Sequence, residues 1–177
     1  ARHIAYRAVR CHGTIGGSVA MADPAADWPC ILLALNATVL ITGKSGERGM
    51  AMDDFLQGTY ETALKNDELI RSFEIRKLPT TARTATSKVN RKTGAFADAF
   101  CAVVFNGAES RIAVAAIGAR AQCLKSASQA LAMRAPIADI NSCVARDITA
   151  LAPAQYAYLQ HLHETNACRA VSEVLRS

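Results

Sequence analysis

Apolar and polar positions divide the chain into two differently patterned halves. In the first, Ile31, Leu32, Leu33 and Leu35 cluster too densely for a surface helix, so Ala25–Asn36 is predicted as a largely buried helix. Asp23-Pro24 ahead of it supplies a capping carboxylate and a first-turn proline. The β-branched run Ala37–Thr42 predicts a strand. Gly43-Lys44-Ser45-Gly46 predicts a turn, and Glu47–Met52 a returning strand. Asp53–Gly58 is expected to be a short helical or turn element, and Glu68–Arg76 alternates as a further strand. Leu78–Ser87, with Pro79, is expected to be a polar linker.

The second half holds three strand patterns, Lys88–Lys92, Ala97–Asn106 and Arg111–Ala119. Asn106-Gly107 is a strong hairpin turn between the last two. From Cys123 onward the pattern is helical, with helices over Leu124–Met133, Ile137–Ala150 and Ala154–Arg176. Pro136 and Pro153 stand near the starts of the last two, where a missing N–H does no harm. Strands followed by helices predict an α+β fold, with a small C-terminal domain of a three-stranded antiparallel sheet and a three-helix bundle. The two pieces are placed at 1–77 and 78–177.

Composition narrows the function classes. Of 177 residues, 51% are hydrophobic and 35 are alanine, enough apolar surface to exclude disorder. No 18-residue run is free of charge, which predicts no membrane span, and the first ten residues do not form a secretion signal. A cytoplasmic location is the simplest expectation for a chain with six cysteines and no such signal. Neither the cysteines nor the four histidines have metal-ligand spacing, so no metal site is expected. The net charge of +5 suggests nucleic acid until it is located. Residues 1–75 carry 7 basic and 9 acidic side chains, 76–100 carry 6 and 1, and 101–177 carry 7 and 5. The excess is one local strip with no interleaved aromatic residue apart from Phe96, which argues against base stacking and a nucleic-acid partner.

Candidate chemistry lies in Gly13-Thr14-Ile15-Gly16-Gly17-Ser18. Adjacent glycines before a helix let a ligand approach backbone N–H groups, and Thr14 and Ser18 add hydroxyls. By spacing alone a structural turn is the commoner reading. The segment is neither a Walker loop nor GxGxxG.

The wider run from Arg10 to Asp27, including Gly13-Thr14-Ile15-Gly16-Gly17-Ser18 and Ala22-Asp23-Pro24-Ala25-Ala26-Asp27, resembles the second FAD-binding segment of the medium subunits of molybdenum hydroxylases. These are the flavoprotein subunits of the carbon monoxide dehydrogenase and xanthine dehydrogenase family. Phe55–Leu64, Asp67–Ile70, Lys88–Ala97 and the tail from Tyr156 to Leu175 are similar to further segments of that family, in the same order. The resemblance implies the second part of a PCMH-type FAD-binding domain followed by the family's C-terminal domain. It implies FAD on this chain, held by Thr14, Ile15, Gly16, Gly17 and Ser18 at the pyrophosphate. Asp27 is implied on the adenosine side, Asp23 in the same loop or as a helix cap, Ile70 as a backbone contact near the flavin, and Lys88 at the isoalloxazine end. For Phe96 the readings are packing near the flavin ring and packing in the core, of which the core is preferred.

The same resemblance implies an oxidoreductase subunit with no catalytic residue of its own. It would pass electrons from [2Fe-2S] clusters of a small iron–sulfur subunit to an external acceptor, with the molybdenum cofactor on a large subunit. Met21, Cys11-His12 and Ala95 depart from residues common in the family. No counterpart of the family's first glycine-rich loop occurs in the 177 residues, so weak FAD binding by this chain alone is expected. A cofactor-free interaction module and a non-flavin-binding relative are the alternatives.

Overall fold

The computed structural model describes residues 4–152 and 156–176. The strand with the longest apolar run organises the fold. Ala99–Phe105 (β7) is AFCAVVF, and every residue in it is buried. An antiparallel strand reads this way only when both its faces are covered. Phe100, Ala102 and Val104 enter one core with the first half of the chain. Cys101, Val103 and Phe105 enter a second core with the C-terminal helices. The period-two side-chain alternation of a strand thus serves two cores from one segment.

β7 lies in an antiparallel sheet of order β6-β7-β8-β9, with β6 Arg83–Val89, β8 Arg111–Ala115 and β9 Gln122–Cys123. This corrects the expected three-stranded sheet: Gln122–Cys123 pairs with Ala113 and Val114 as a fourth strand. Two residues leave no alternation to detect. The expected linker Leu78–Ser87 is also half strand, since β6 begins at Arg83, and the strand expected at Lys88–Lys92 stops at Val89. The linker's Thr/Ala/Arg composition reflects an edge strand rather than a loop.

On one face sits a helical layer, α5 Lys125–Ala132, α6 Ile137–Leu151 and α7 Ala157–Arg176. In it α6 contacts both neighbours and α7 lies on β6 and β7. The expected helix start at Pro153 lies outside the described residues. On the other face lies α3, Asp27–Ala34, against β7, β8 and β9. This helix begins two residues later than expected. Asp23 does not cap it: its Oδ1 accepts from Ala25 N–H at 2.8 Å, a turn two residues long.

The first half adds α1 Arg7–His12, α2 Ile15–Met21 and a sheet of order β2-β1-β5, with β1 Thr38–Gly43, β2 Gly46–Ala51 and β5 Glu68–Glu74. The expected hairpin is present, with Gly43 opposite Gly46. Between them and β5 run α4 Met52–Phe55 and the short pair β3 Leu56–Gly58 and β4 Glu61–Thr62. Arg48 closes this sheet, donating to Glu68 and to the carbonyl of Ala63. The Arg48 guanidinium holds the Glu68 carboxyl down at about 2.

Polar contacts also join the halves. Arg111 of β8 reaches Asp53 of α4, Asn36 Oδ1 at 2.8 Å and Cys123 Sγ at 3.0 Å. Ala116 N–H donates to Pro24 O at 2.7 Å, and the Ala116 carbonyl accepts from buried His163 Nε2 of α7 at 3.1 Å. No helix among the described residues is long and apolar enough to cross a membrane.

His163 gives the fold a pH dependence. Burial pushes its pKa below the usual imidazole value, and Nδ1 has no hydrogen-bond partner. The unfolded chain therefore binds a proton more readily than the folded one, and stability falls as pH drops through about 6.5 and below. Between pH 7.5 and 5 the thermal midpoint is expected to drop by several degrees, and by visibly less in His163→Leu. Parallel curves for the two proteins would refute the assignment.

Candidate functional site

The two halves meet at a cavity of about 500 Å³, a volume suited to a cofactor-sized ligand. Its walls come from the α1 segment, the start of α2, the start of α3, Lys88 of β6 and the turn before β7.

Thr14 caps α2, its Oγ1 accepting from Gly17 N–H at 2.9 Å. Gly16 and Gly17 therefore form the first turn of a helix instead of a turn that precedes one. Capping leaves the N–H groups of Ile15 and Gly16 without intrahelical partners. Beside Gly16 there is open space: a Cβ there would meet nothing within 4 Å. Helix α2 ends at Ala22 in the left-handed region, φ 50°. This reversal, with the Asp23 turn, sends the chain into α3 with Asp27 as its first residue. A carboxylate there is favoured by the partial positive charge of the helix N-terminus.

Asp27 is buried, and its Oδ2 accepts from Lys88 Nζ at 2.8 Å. Side-chain exposures are 5% for Asp27 and 14% for Lys88, so this ion pair is shielded from water. Strand alternation explains how Lys88 arrives. It pairs with Phe100, and both point toward α3. The second carboxylate oxygen, Asp27 Oδ1, is buried with no partner. An unpaired buried acceptor costs about 1–3 kcal/mol, so the arrangement favours a ligand donor at that atom.

Of the residues singled out from sequence, Thr14, Ile15, Ser18, Asp27 and Lys88 line this one cavity. Gly16 and Gly17 lie in the same helical turn without lining it. Asp23 is turned away, its Oδ2 accepting from Tyr60 O–H at 3.1 Å. Ile70 stands on β5 opposite Ile41, packed against the first core and outside the cavity wall. Asp27 and Lys88 do not mark opposite ends of an extended cofactor, because their contact places them at one locus.

Three aromatic residues complete the walls: Tyr6, Trp28 and Phe96. Phe96 is 64% exposed, which corrects its expected core role. It lies in the turn joining β6 to β7, which folds back past Lys88. Trp28 follows Asp27 in the same helical turn, and that adjacency was the available signal. Tyr6 gave none, for its place depends on a tertiary contact with Gly94. A Cβ at Gly94, where φ is +88°, would lie 2.7 Å from the Tyr6 ring. No group of three or more potential metal-ligating side chains occurs among the described residues.

Residues 1–78 match the family described as FAD binding domain in molybdopterin dehydrogenase. The chain as a whole is similar to medium subunits of molybdenum hydroxylases. It is 40% identical over 111 residues to the nicotine 6-hydroxylase medium subunit of Paenarthrobacter nicotinovorans, covering 63% of this chain and 38% of that protein. It is 38% identical over 110 residues to the carbon monoxide dehydrogenase medium chain of Afipia carboxidovorans, covering 62% and 38%. The fold superposes on carbon monoxide dehydrogenase from Hydrogenophaga pseudoflava with a TM-score of 0.91 at 30% identity. That superposition covers 99% of this chain and 65% of the other. The chain thus spans less than two thirds of the length of these relatives.

The cavity fits the FAD of this family. It offers a buried acceptor lacking a donor, a cation, aromatic walls and unpaired helix N–H groups at one place.

The ion pair also carries stability. Lys88→Met strands the buried Asp27 carboxylate and is expected to cost about 3 kcal/mol. Asp27→Asn combined with Lys88→Met is expected to recover most of that loss in urea denaturation. A double variant less stable than Lys88→Met alone would refute the pair's role.

Proposed function

We propose that this chain carries the FAD site of a molybdenum hydroxylase medium subunit, an oxidoreductase component. In this reading it passes electrons from the [2Fe-2S] clusters of a small subunit to an external acceptor, in a complex whose large subunit holds the molybdenum cofactor. The observation that carries the reading is the Asp27–Lys88 pair, with Asp27 Oδ1 buried and unpartnered at the wall of a cavity bordered by the FAD-domain segment. A cytoplasmic setting accords with six free cysteines.

FAD, when bound, supplies reversible electron uptake that no side chain here can provide. The chain's own residues bind and tune. Thr14 fixes the first turn of α2 so that unpaired N–H groups of Ile15 and Gly16 serve phosphate oxygens. The Ser18 hydroxyl adds a donor on the same side. Asp27 Oδ1 accepts from a ligand hydroxyl or imide N–H. Lys88 brings positive charge beside the ring system, favouring the more negative, reduced state. Trp28 and Phe96 offer apolar faces to a planar ring and limit water there. Ile70 and Asp23 support the neighbouring sheet and loop.

Trp28 is the sole tryptophan and lines the cavity, so it reports binding directly. FAD is expected to quench its emission saturably, with weak affinity for this chain. Lys88→Met should weaken the affinity about tenfold, roughly 1.4 kcal/mol. Absence of saturable quenching at millimolar FAD would overturn the proposal and favour a cofactor-free module.

A further inference from the structure

A buried carboxamide stands directly behind the Lys88 side of the cavity. Asn166 of α7 is 1% exposed and shares the buried part of that helix with His163, Ala167, Ala170, Val171 and Val174. Its Nδ2 donates to the carbonyl of Ser87 at 3.1 Å, and its Oδ1 accepts from Ser87 Oγ at 2.6 Å. Both halves of the amide are thus spent on the residue immediately before Lys88.

The geometry makes this contact directional. β6 is an edge strand, paired on one side only, and ends at Val89. Its end is the part of the sheet least constrained by ladder hydrogen bonds. Ser87 pairs with Cys101 and faces the helical layer, whereas Lys88 pairs with Phe100 and faces α3. Pinning Ser87 toward α7 therefore aims Lys88 toward Asp27, because adjacent strand residues point to opposite faces. A one-residue slip would turn Lys88 away from the cavity. An apolar residue at 166 would fill the space without needing a partner. The carboxamide instead specifies one position of the strand, as fully satisfied buried polar groups do.

We infer that Asn166 is a positioning residue of the flavin site, acting through Ser87 to hold Lys88 against Asp27. The inference rests on the reading of this cavity as the FAD site. Its local part, the orientation of Lys88, is testable without cofactor.

The test uses the full chain with Asn166→Leu, Lys88→Met and the double variant. In nitrogen-15 spectra of the apoprotein, a shielded ion-paired ammonium gives a slowly exchanging Nζ signal, assigned to Lys88 by its loss in Lys88→Met. Asn166→Leu is expected to lose or broaden that signal while the amide signals of β7 and β8 stay in place. In FAD titrations followed by Trp28 emission, Asn166→Leu is expected to weaken binding about fivefold, and the double variant to bind no more weakly than Lys88→Met. A retained Lys88 signal in Asn166→Leu, or an equal further loss of affinity in the Lys88→Met background, would overturn the inference. Should Asn166→Leu fail to fold, Ser87→Ala removes one of the two hydrogen bonds. It is then expected to broaden the same signal, and an unchanged signal would overturn the inference. Failure of the wild-type chain to bind FAD would sink the flavin reading, while the ammonium signal would still decide what Asn166 does.

Discussion

The structure depends on β7 being buried on both faces. A seven-residue strand without a solvent side needs cover above and below, and the chain provides α3 on one face and α5–α7 on the other. Everything at the cavity follows from that sandwich. The first turn of α3 carries Asp27, and the neighbouring edge strand carries Lys88. Closing α3 onto the sheet brings the two within 2.8 Å although they are 61 positions apart in sequence. The ion pair is a product of the packing, which leaves the side chains of Asp27 and Lys88 only 5% and 14% exposed.

Much of this was legible in the sequence. The hairpin of β1 and β2, the strand β7, its partner β8 and the three terminal helices each have strong local periodicity or turn chemistry, and these appear close to where they were expected. The two-residue strand β9 was not legible, and of the polar edge strand β6 only its last two residues, Lys88 and Val89, were placed in a strand. One is too short for a pattern, and the other has a composition that solvent and sheet edge share. At the site, Thr14, Ile15, Ser18, Asp27 and Lys88 were marked by motif. That Asp27 and Lys88 touch each other could not be read, since it requires the register of β6 against β7 and the seating of α3. Tyr6 escaped for the same reason, and Phe96, named as a ring neighbour, was assigned to the core because its place at the cavity depends on a chain reversal.

The thiols show the electrostatic side of the same packing. Burial pushes Cys30 and Cys101 far above the usual thiol range, and Cys123 up to about 11 despite the adjacent Arg111 guanidinium. They are neutral small apolar groups at physiological pH, filling space between the sheet and its covering helices. The basic strip is likewise divided by structure. Lys88 is withdrawn into the cavity, Arg83 stacks over Phe105, and Arg91 stays in solvent.

The abundance of alanine then takes on a metric meaning. On the face toward α3 the sheet presents Ala102, Ala113 and Ala115, side chains of a single carbon. Their shortness sets how near the helix axis lies to the sheet, and so how far an ammonium on a four-carbon stem must reach. The separation of the two layers, fixed by what those three positions lack, is the ruler against which the length of Lys88 is matched.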